Sequence, residues 1–139
     1  MKIFINRQVV NGPWGGGNAF VAAFIKHARD AGHSFVRVDD LMSDPPDVIV
    51  VAGLDPDELG FSAIDAVGFK QAWKGRKNIK LALRVNECDA RKGTTHMDPA
   101  LVGFSQKMDG TIFVSDWLRG YFKETWRCHD QTVIHNGVD

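Results

Sequence analysis

Short apolar segments alternate with amphipathic segments along almost the whole chain, and no other feature of the sequence constrains the fold as strongly. Apolar periodicity and flanking turn residues predict strands at residues 3–6, 34–38, 47–51, 78–85, 111–114 and 132–134. Helical spacing of apolar residues predicts helices at residues 18–31, 62–73, 99–108 and 116–126. Strands separated by helices form β-α-β units, and such units build a parallel sheet.

The predicted fold class is therefore α/β, with a doubly wound, Rossmann-like parallel sheet of about six strands and helices on both faces. Signals at the helix ends agree with this prediction. Gly32 is placed to end the first helix in a left-handed conformation. Asp98 is expected to cap the helix that Pro99 opens, and Ser115 to cap the last helix. Because no linker interrupts the pattern, residues 1–139 are expected to form one domain.

Charge and length exclude several classes of protein. The chain has 139 residues, enough to bury a core without a disulfide or a structural metal. Its 17 basic and 17 acidic residues balance. No net field then attracts nucleic acid or anionic lipid, so we expect no nucleic-acid partner. A charged ligand would have to be bound by a local cluster.

The two cysteines indicate a reducing compartment. Cys88 and Cys128 are far apart in the sequence, and neither belongs to a CxxC pair or to a Cys/His ligand pattern. We therefore predict no metal site and two reduced thiols in a cytoplasmic protein. The first apolar run, residues 3–5, is too short for a signal peptide or a membrane span.

Ligands of doubly wound sheets bind beyond the carboxyl ends of the strands, where the strand order reverses. With the strand order 3-2-1-4-5-6, the loops after the first and fourth strands would face each other across this crevice. The first loop has four glycines within residues 12–17. The second, residues 84–96, combines acidic and basic side chains. We expect both loops to line one cleft at one edge of the sheet.

The glycine loop is suited to a phosphate or a sugar. Gly15, Gly16 and Gly17 allow close approach of a ligand to the backbone, and they lead into a helix N-terminus with free N–H groups. The loop is neither a P-loop nor a dinucleotide fingerprint, because Phe20 stands where the third glycine of GxGxxG belongs. Trp14 is either a stacking platform or a packing residue. The alternative for the whole loop is a flexible surface connection.

The second loop concentrates charge. Arg84 has the forked geometry that binds a carboxylate or a phosphate. Glu87 and Asp89 can bind sugar hydroxyl groups or accept a proton. Arg91 and Lys92 can neutralise a charged acceptor. The alternative is a solvated loop in which these groups form ion pairs with one another.

Four segments resemble family 4 glycosyltransferases, which have the two-domain glycosyltransferase B fold. The segment GPWGGGN at residues 12–18 resembles the loop after their first strand. TIFVSDWL at 111–118 resembles their FVS…L strand-to-helix step, and VIHNGVD at 133–139 resembles their more specific VI-x-NGVD segment. RVNECDARKGT at 84–94 resembles the fourth-strand loop of a bacterial subgroup.

The resemblance covers nearly the whole chain but only one half of such an enzyme. It implies the N-terminal, acceptor-binding half of a retaining glycosyltransferase that moves a sugar from a nucleotide-sugar donor to a sugar or glycan acceptor. The donor-binding C-terminal domain, with its paired glutamates, would be absent from this chain. No resident cofactor or metal is implied. The isolated chain is then expected to be inactive, and its uncovered apolar surface to favour self-association.

The resemblance also assigns roles. The family often has a histidine or an acidic residue after the fourth strand, where this chain has Asn86 and Glu87. The predicted substrate-binding residues are Gly15, Gly16, Gly17, Arg84, Asn86, Arg91 and Lys92, the predicted catalytic residue is Glu87, and His135 and Asn136 are predicted to lie at the interdomain hinge.

Two other classes stay open. Asp39, at the end of the second predicted strand, is where an NAD(P)-binding oxidoreductase would bind the adenosine ribose. The missing third glycine of the GxGxxG fingerprint and the length of the first loop argue against this interpretation. A non-catalytic binding module is the second alternative. The sequence does not define the donor sugar, the acceptor, the oligomeric state or any membrane association.

Overall fold

The structure is a computed structural model that describes residues 1–12 and 15–136. Six strands form one all-parallel sheet, which confirms the predicted α/β class. The strands are β1 (Lys2–Ile5), β2 (Ser34–Phe35), β3 (Val48–Val51), β4 (Lys80–Val85), β5 (Gly110–Phe113) and β6 (Gln131–Val133). The helices are α1 (Gly16–Asp30), α2 (Ala63–Trp73), α3 (Asp89–Lys92), α4 (Met97–Ser105) and α5 (Asp116–Tyr121), with a 3-10 turn at Val38–Asp40.

The strand order is β2-β1-β3-β4-β5-β6, which differs from the order 3-2-1-4-5-6 assumed above for the position of the crevice. β3, rather than β4, pairs with β1, with Phe4 opposite Ile49. Both strand orders can be built from the same elements in the same order along the chain. Local apolar periodicity therefore does not distinguish one strand order from the other. The point where the strand order reverses therefore lies between β1 and β3. The carboxyl end of β4 lies next to that of β3, one strand away from this point.

Alternate residues of the strands supply two apolar layers. On one face, Ile3, Ile5 and Val50 pack against Val21 and other apolar residues of α1. The opposite face carries the larger cluster, which includes Ile49, Leu83 and Phe113 and side chains of α2, α4 and α5. The helices thus lie on both faces, as a parallel sheet buried on both sides requires.

The helix ends only partly follow the sequence prediction. Gly32 has φ +90°, and the Ser115 hydroxyl accepts a hydrogen bond from the Leu118 amide at 3.1 Å, so both predictions are confirmed. Asp98 is not the N-cap of α4, which begins at Met97 after His96. The Asp98 carboxylate instead accepts hydrogen bonds from the Asp89 amide and from the Tyr121 hydroxyl.

Several predicted boundaries also differ; the helix predicted at residues 99–108, for example, spans Met97–Ser105. β2 ends at Phe35 instead of residue 38, because the chain turns into a 3-10 helix at Val38. The last helix ends at Tyr121 instead of residue 126; beyond it, Phe122 and Trp126 enter the core through turns. The predicted loop at residues 86–97 contains the short helix α3.

Candidate functional site

A cleft of about 510 Å³ opens at the carboxyl edge of the sheet. Its walls come from the loops after β1 and β3, from the start of α1 and from the end of β4, and they include Arg7, Gln8, Gly15, Gly17, Asn18, Gly53, Asp57, Glu58, Arg84 and Asn86. The structure thus brings the glycine loop and the start of the β4 loop to one cleft, as the sequence analysis expects.

A smaller pocket of about 210 Å³ adjoins this cleft, between the ends of β3 and β4 and helix α4. Leu54, Leu83 and Leu101 give it apolar walls, and Glu87 and His96 add polar groups. Arg84 and Asn86 line both cavities. A ligand with an apolar and a polar part could therefore extend from the pocket into the cleft, past Arg84.

Asn6 connects the two loops at the reversal point. Its buried side chain donates hydrogen bonds to the carbonyl oxygens of Gly53 (2.9 Å) and Phe61 (3.1 Å), and it accepts one from the Ala52 amide at 2.8 Å. The sequence analysis placed Asn6 only at the end of a strand. The available signal was a polar side chain directly after an apolar strand, at a ligand-binding edge.

Arg7 lies against the backbone of Gly53. Its guanidinium donates a hydrogen bond to the Asn6 carbonyl at 2.9 Å. A Cβ atom at Gly53 would lie 1.9 Å from Arg7 Nη2, so any larger residue would displace the arginine from this wall. Gly53 thus fixes where Arg7 presents its charge to the cleft.

Asn18 holds the first loop against α1. Its side chain accepts a hydrogen bond from the Val10 amide at 2.7 Å and donates one to the Val10 carbonyl at 2.9 Å. This bidentate pair fixes the loop after β1 beside the first turn of the helix. Pro13 and Trp14, and with them the predicted role of Trp14, lie outside the described residues.

The three consecutive glycines are not required by the backbone. Gly16 and Gly17 are the first residues of α1, and none of the three has a positive φ. Among the described residues, a Cβ atom at Gly15 or Gly17 would meet nothing within 4 Å, and one at Gly16 would meet Asn136 Nδ2 at 3.8 Å. Glycine weakens a helix relative to alanine, so the fold alone does not explain this run.

Arg84 is the most unusual charged residue of the site. It is 3% exposed, and burial lowers its pKa. Nη2 donates a hydrogen bond to Asn136 Oδ1 at 2.8 Å, and the guanidinium carbon lies 4.1 Å from the centre of the Phe20 ring. Nε is buried and has no acceptor among the described residues, and no described carboxylate forms an ion pair with this guanidinium. Within residues 1–12 and 15–136, this buried positive charge therefore has no negative partner.

Glu87 lines the smaller pocket and is engaged by neighbouring cations. Its carboxylate lies 3.4 Å from Arg91 Nε and 4.0 Å from Lys92 Nζ. The Cys88 amide donates to it at 3.3 Å. Neither cavity at this edge includes Arg91 or Lys92 in its wall. The mutual ion pairs considered in the sequence analysis are thus present, although Glu87 still faces the pocket.

The β4 loop is fixed by two reciprocally bonded carboxylates. Asp89 accepts hydrogen bonds from the Thr94 hydroxyl and from the amides of Met97 (2.9 Å) and Asp98 (2.8 Å). Asp98 accepts one from the Asp89 amide at 2.8 Å and another from the Tyr121 hydroxyl, which raises the pKa of Tyr121 to about 12. Burial acts to raise the pKa of Asp89, but these hydrogen bonds outweigh it and lower that pKa. The loop that presents Asn86 and Glu87 is therefore anchored to α4 and α5.

The segment after β6 approaches the same edge. Asn136 contacts Arg84, and His135 Nε2 lies 3.9 Å from the Asp116 carboxylate. The remainder of the predicted NGVD segment, residues 137–139, lies outside the described residues. Asp39, the residue expected to bind ribose in an oxidoreductase, is exposed near Arg37 and lines a different cavity.

No protein-family model matches the sequence, and a search of curated proteins finds no match. Within the described ranges, no helix is long and apolar enough to cross a membrane. The same residues contain no group of three or more histidine, cysteine or acidic side chains placed to bind a metal ion. Cys88 and Cys128 are buried and unbridged.

Proposed function

We propose that this chain is the N-terminal, acceptor-side half of a retaining glycosyltransferase that uses a nucleotide-sugar donor. The observation that carries the proposal is the pair of adjoining cavities at the carboxyl edge, which share Arg84 and Asn86 in their walls. The glycine loop lines the larger cavity and the β4 loop lines both, and both loops resemble those of family 4 glycosyltransferases. Buried Arg84 lies where the two cavities adjoin.

The chemistry of the walls fits a sugar ligand. Sugars combine hydroxyl groups with apolar C–H faces, and the smaller pocket combines apolar walls with Asn86, Glu87 and His96. Glu87, fixed by two cations, serves to accept hydrogen bonds from acceptor hydroxyl groups and to orient the nucleophile. The absence of side chains at Gly15, Gly16 and Gly17 leaves room for a ligand to contact the first turn of α1.

Glycosyl transfer needs a second wall. Donor phosphates, leaving group and acceptor must meet in one desolvated cleft. One sheet edge supplies one side of such a cleft, and the proposed second domain supplies the other, with His135 and Asn136 at the hinge. We further propose that the protein works in the reducing cytoplasm, where Cys88 and Cys128 stay reduced.

Calorimetric titration of the 139-residue chain tests this function. The ligands are a panel of nucleotide sugars, NAD(H), and mono- and disaccharide acceptors. We expect acceptor binding without tight donor binding, and loss of acceptor binding when Glu87 is changed to Gln. The variant Glu124→Gln is the control, since it makes the same change at an exposed carboxylate that lines neither cavity. Binding of NAD(H), or of no sugar at all, would refute the proposal.

A further inference from the structure

We propose that Arg84 and the N-terminus of α1 form an oxyanion site that selects acceptors carrying a phosphate or a carboxylate group, and that Asn136 occupies this site until such an acceptor displaces it. The inference rests on the proposed function for one step only: this chain is proposed to bind the acceptor, so the anion is taken as part of the acceptor, and binding of a donor-type diphosphate in its place would refute it.

The first argument is the incomplete pairing of Arg84. A guanidinium removed from water is stabilised by an anion and by hydrogen bonds to its N–H groups. Here Nη2 has one neutral amide oxygen, and buried Nε has no acceptor among the described residues. A carboxylate or a phosphate accepts from Nε and Nη2 together, in the forked geometry that arginine favours. Such a group would supply the missing bond and the missing charge.

The second argument is the start of α1. Within the described part of the chain, no side chain caps its first turn and that turn contains no acidic residue. The free N–H groups and the helix dipole favour a negative charge at this end. Gly15 and Gly17 line the same cleft as Arg84, so the two features converge on one space.

Asn136 marks this space. Its Oδ1 accepts from Arg84, and its Nδ2 lies 3.8 Å from the position of a Cβ atom at Gly16. The amide thus lies between the guanidinium and the first turn of the helix. Its oxygen is a neutral acceptor with the geometry of one arm of a carboxylate. An acceptor anion would exchange for it and gain the charge interaction that the amide lacks.

The remaining charges of the cleft limit the ligand to a small anion. Arg7 is the second cation of the wall, and Asp57 and Glu58 are its acids. Asp57 is engaged by the amides of Gln8 (2.8 Å) and Leu59 (2.9 Å). These acids disfavour a polyanion and leave Arg84 as the place for a single anionic group.

The test compares glucose 6-phosphate, glucuronate and glucose as ligands of the 139-residue chain, with uridine diphosphate as the donor-type anion. Calorimetry should show binding of one or both sugar anions at least tenfold tighter than that of glucose. Arg84→Met should abolish this preference, while Arg29→Met should retain it, since Arg29 also lies over an aromatic ring, Phe35, but outside the cleft. Asn136→Ala should tighten binding of the sugar anion severalfold, because the competing amide is removed, whereas a purely structural Asn136 would not have this effect.

Several outcomes would overturn the inference. They are equal binding of glucose and the sugar anions, binding of uridine diphosphate alone, or weaker anion binding by Asn136→Ala. Because Asn136 is exposed, its variant is informative even if Arg84→Met fails to fold. Transfer to neutral acceptors only would refute the site and leave the proposed function intact. Binding of sugar anions by a protein that transfers no sugar would support the anion site and refute the proposed function.

Discussion

Asp89 and Arg84 are the two charged residues that are buried in the described part of the chain, and their surroundings differ. Asp89 accepts three hydrogen bonds, from Thr94, Met97 and Asp98, and its charge is compensated within the protein. Arg84 donates a hydrogen bond to the amide oxygen of Asn136 and lies over the ring of Phe20, and it has no carboxylate partner among the described residues. Complete pairing is typical of a structural charge, and incomplete pairing at a cleft is typical of a binding group.

Gly16→Val should separate binding from folding. Of the described residues, only Asn136 lies within 4 Å of the new Cβ atom, so we expect the melting temperature to change by no more than a few degrees. The new side chain should keep a ligand away from the first turn of α1, so that acceptor binding by the chain and transfer by the proposed two-domain enzyme both fall. Gly68→Ala is the control and should leave binding unchanged, because Gly68 is exposed in the middle of α2. Full activity of Gly16→Val would show that the glycines connect β1 to α1 without contacting a ligand.

Glu87→Gln keeps the shape of the side chain and removes its charge. If Glu87 accepts a proton, the rate of transfer should fall by about 10²–10⁴. If it only binds an acceptor hydroxyl, the acceptor KM should rise by the equivalent of about 1–3 kcal/mol. Glu124→Gln, which makes the same change at an exposed carboxylate outside both cavities, is the control. Unchanged kcat and KM would leave Glu87 with a role in loop structure alone.

At the scale of elements, sequence periodicity was sufficient for the strands and main helices but not for their arrangement. Apolar periodicity is a local property, whereas the pairing of β1 with β3 is a long-range one. The Asp-Pro signal at Asp98 was misleading for a similar reason, because Asp98 bonds to Asp89, nine residues away. Among the site residues, Arg84 was found from the sequence, but the contacts of Asn6 and Asn18 with distant backbone were not.

The junction of α2 with β4 and β5 should weaken in acid. Partial burial acts to raise the pKa of Asp109, but hydrogen bonds from Lys70 Nζ (2.6 Å) and the Leu81 amide (2.8 Å) outweigh it, so this pKa lies below the usual 3.8. The resulting stabilisation is complete above pH 3.8 and is lost as the pH falls through the lowered pKa. Asp109→Asn should lower the free energy of unfolding at neutral pH by roughly 1 kcal/mol.

Urea denaturation of both proteins from neutral to strongly acidic pH measures this effect. The stability difference between Asp109→Asn and the parent chain should shrink toward low pH. A difference that stays constant across the acid range would show that the ionised form of Asp109 contributes nothing to stability.

At the scale of the whole molecule, the described residues leave part of one sheet face without an apolar cover. Ile112 lies in β5 and Ile134 follows β6; neither belongs to a buried apolar cluster, and Ile134 is 49% exposed. Exposed apolar surface favours association. We therefore expect concentration-dependent self-association of the 139-residue chain in sedimentation velocity runs, and less of it for Ile134→Thr. A chain that stays monomeric at all concentrations would contradict this expectation.

The geometry of the cleft also predicts that this chain alone does not transfer sugar. Its described walls come from one edge of one sheet, so a bound acceptor would stay open to water on the opposite side. Without a second wall, neither the donor phosphates nor the leaving group would be positioned against the acceptor. Incubation with labelled nucleotide sugars and a mixed acceptor pool should give no transfer above the spontaneous hydrolysis of the donor. The same assay with a two-domain enzyme containing this half is the positive control. Transfer by the 139-residue chain, or micromolar binding of a nucleotide sugar to it, would show that this sheet edge forms a complete active site by itself.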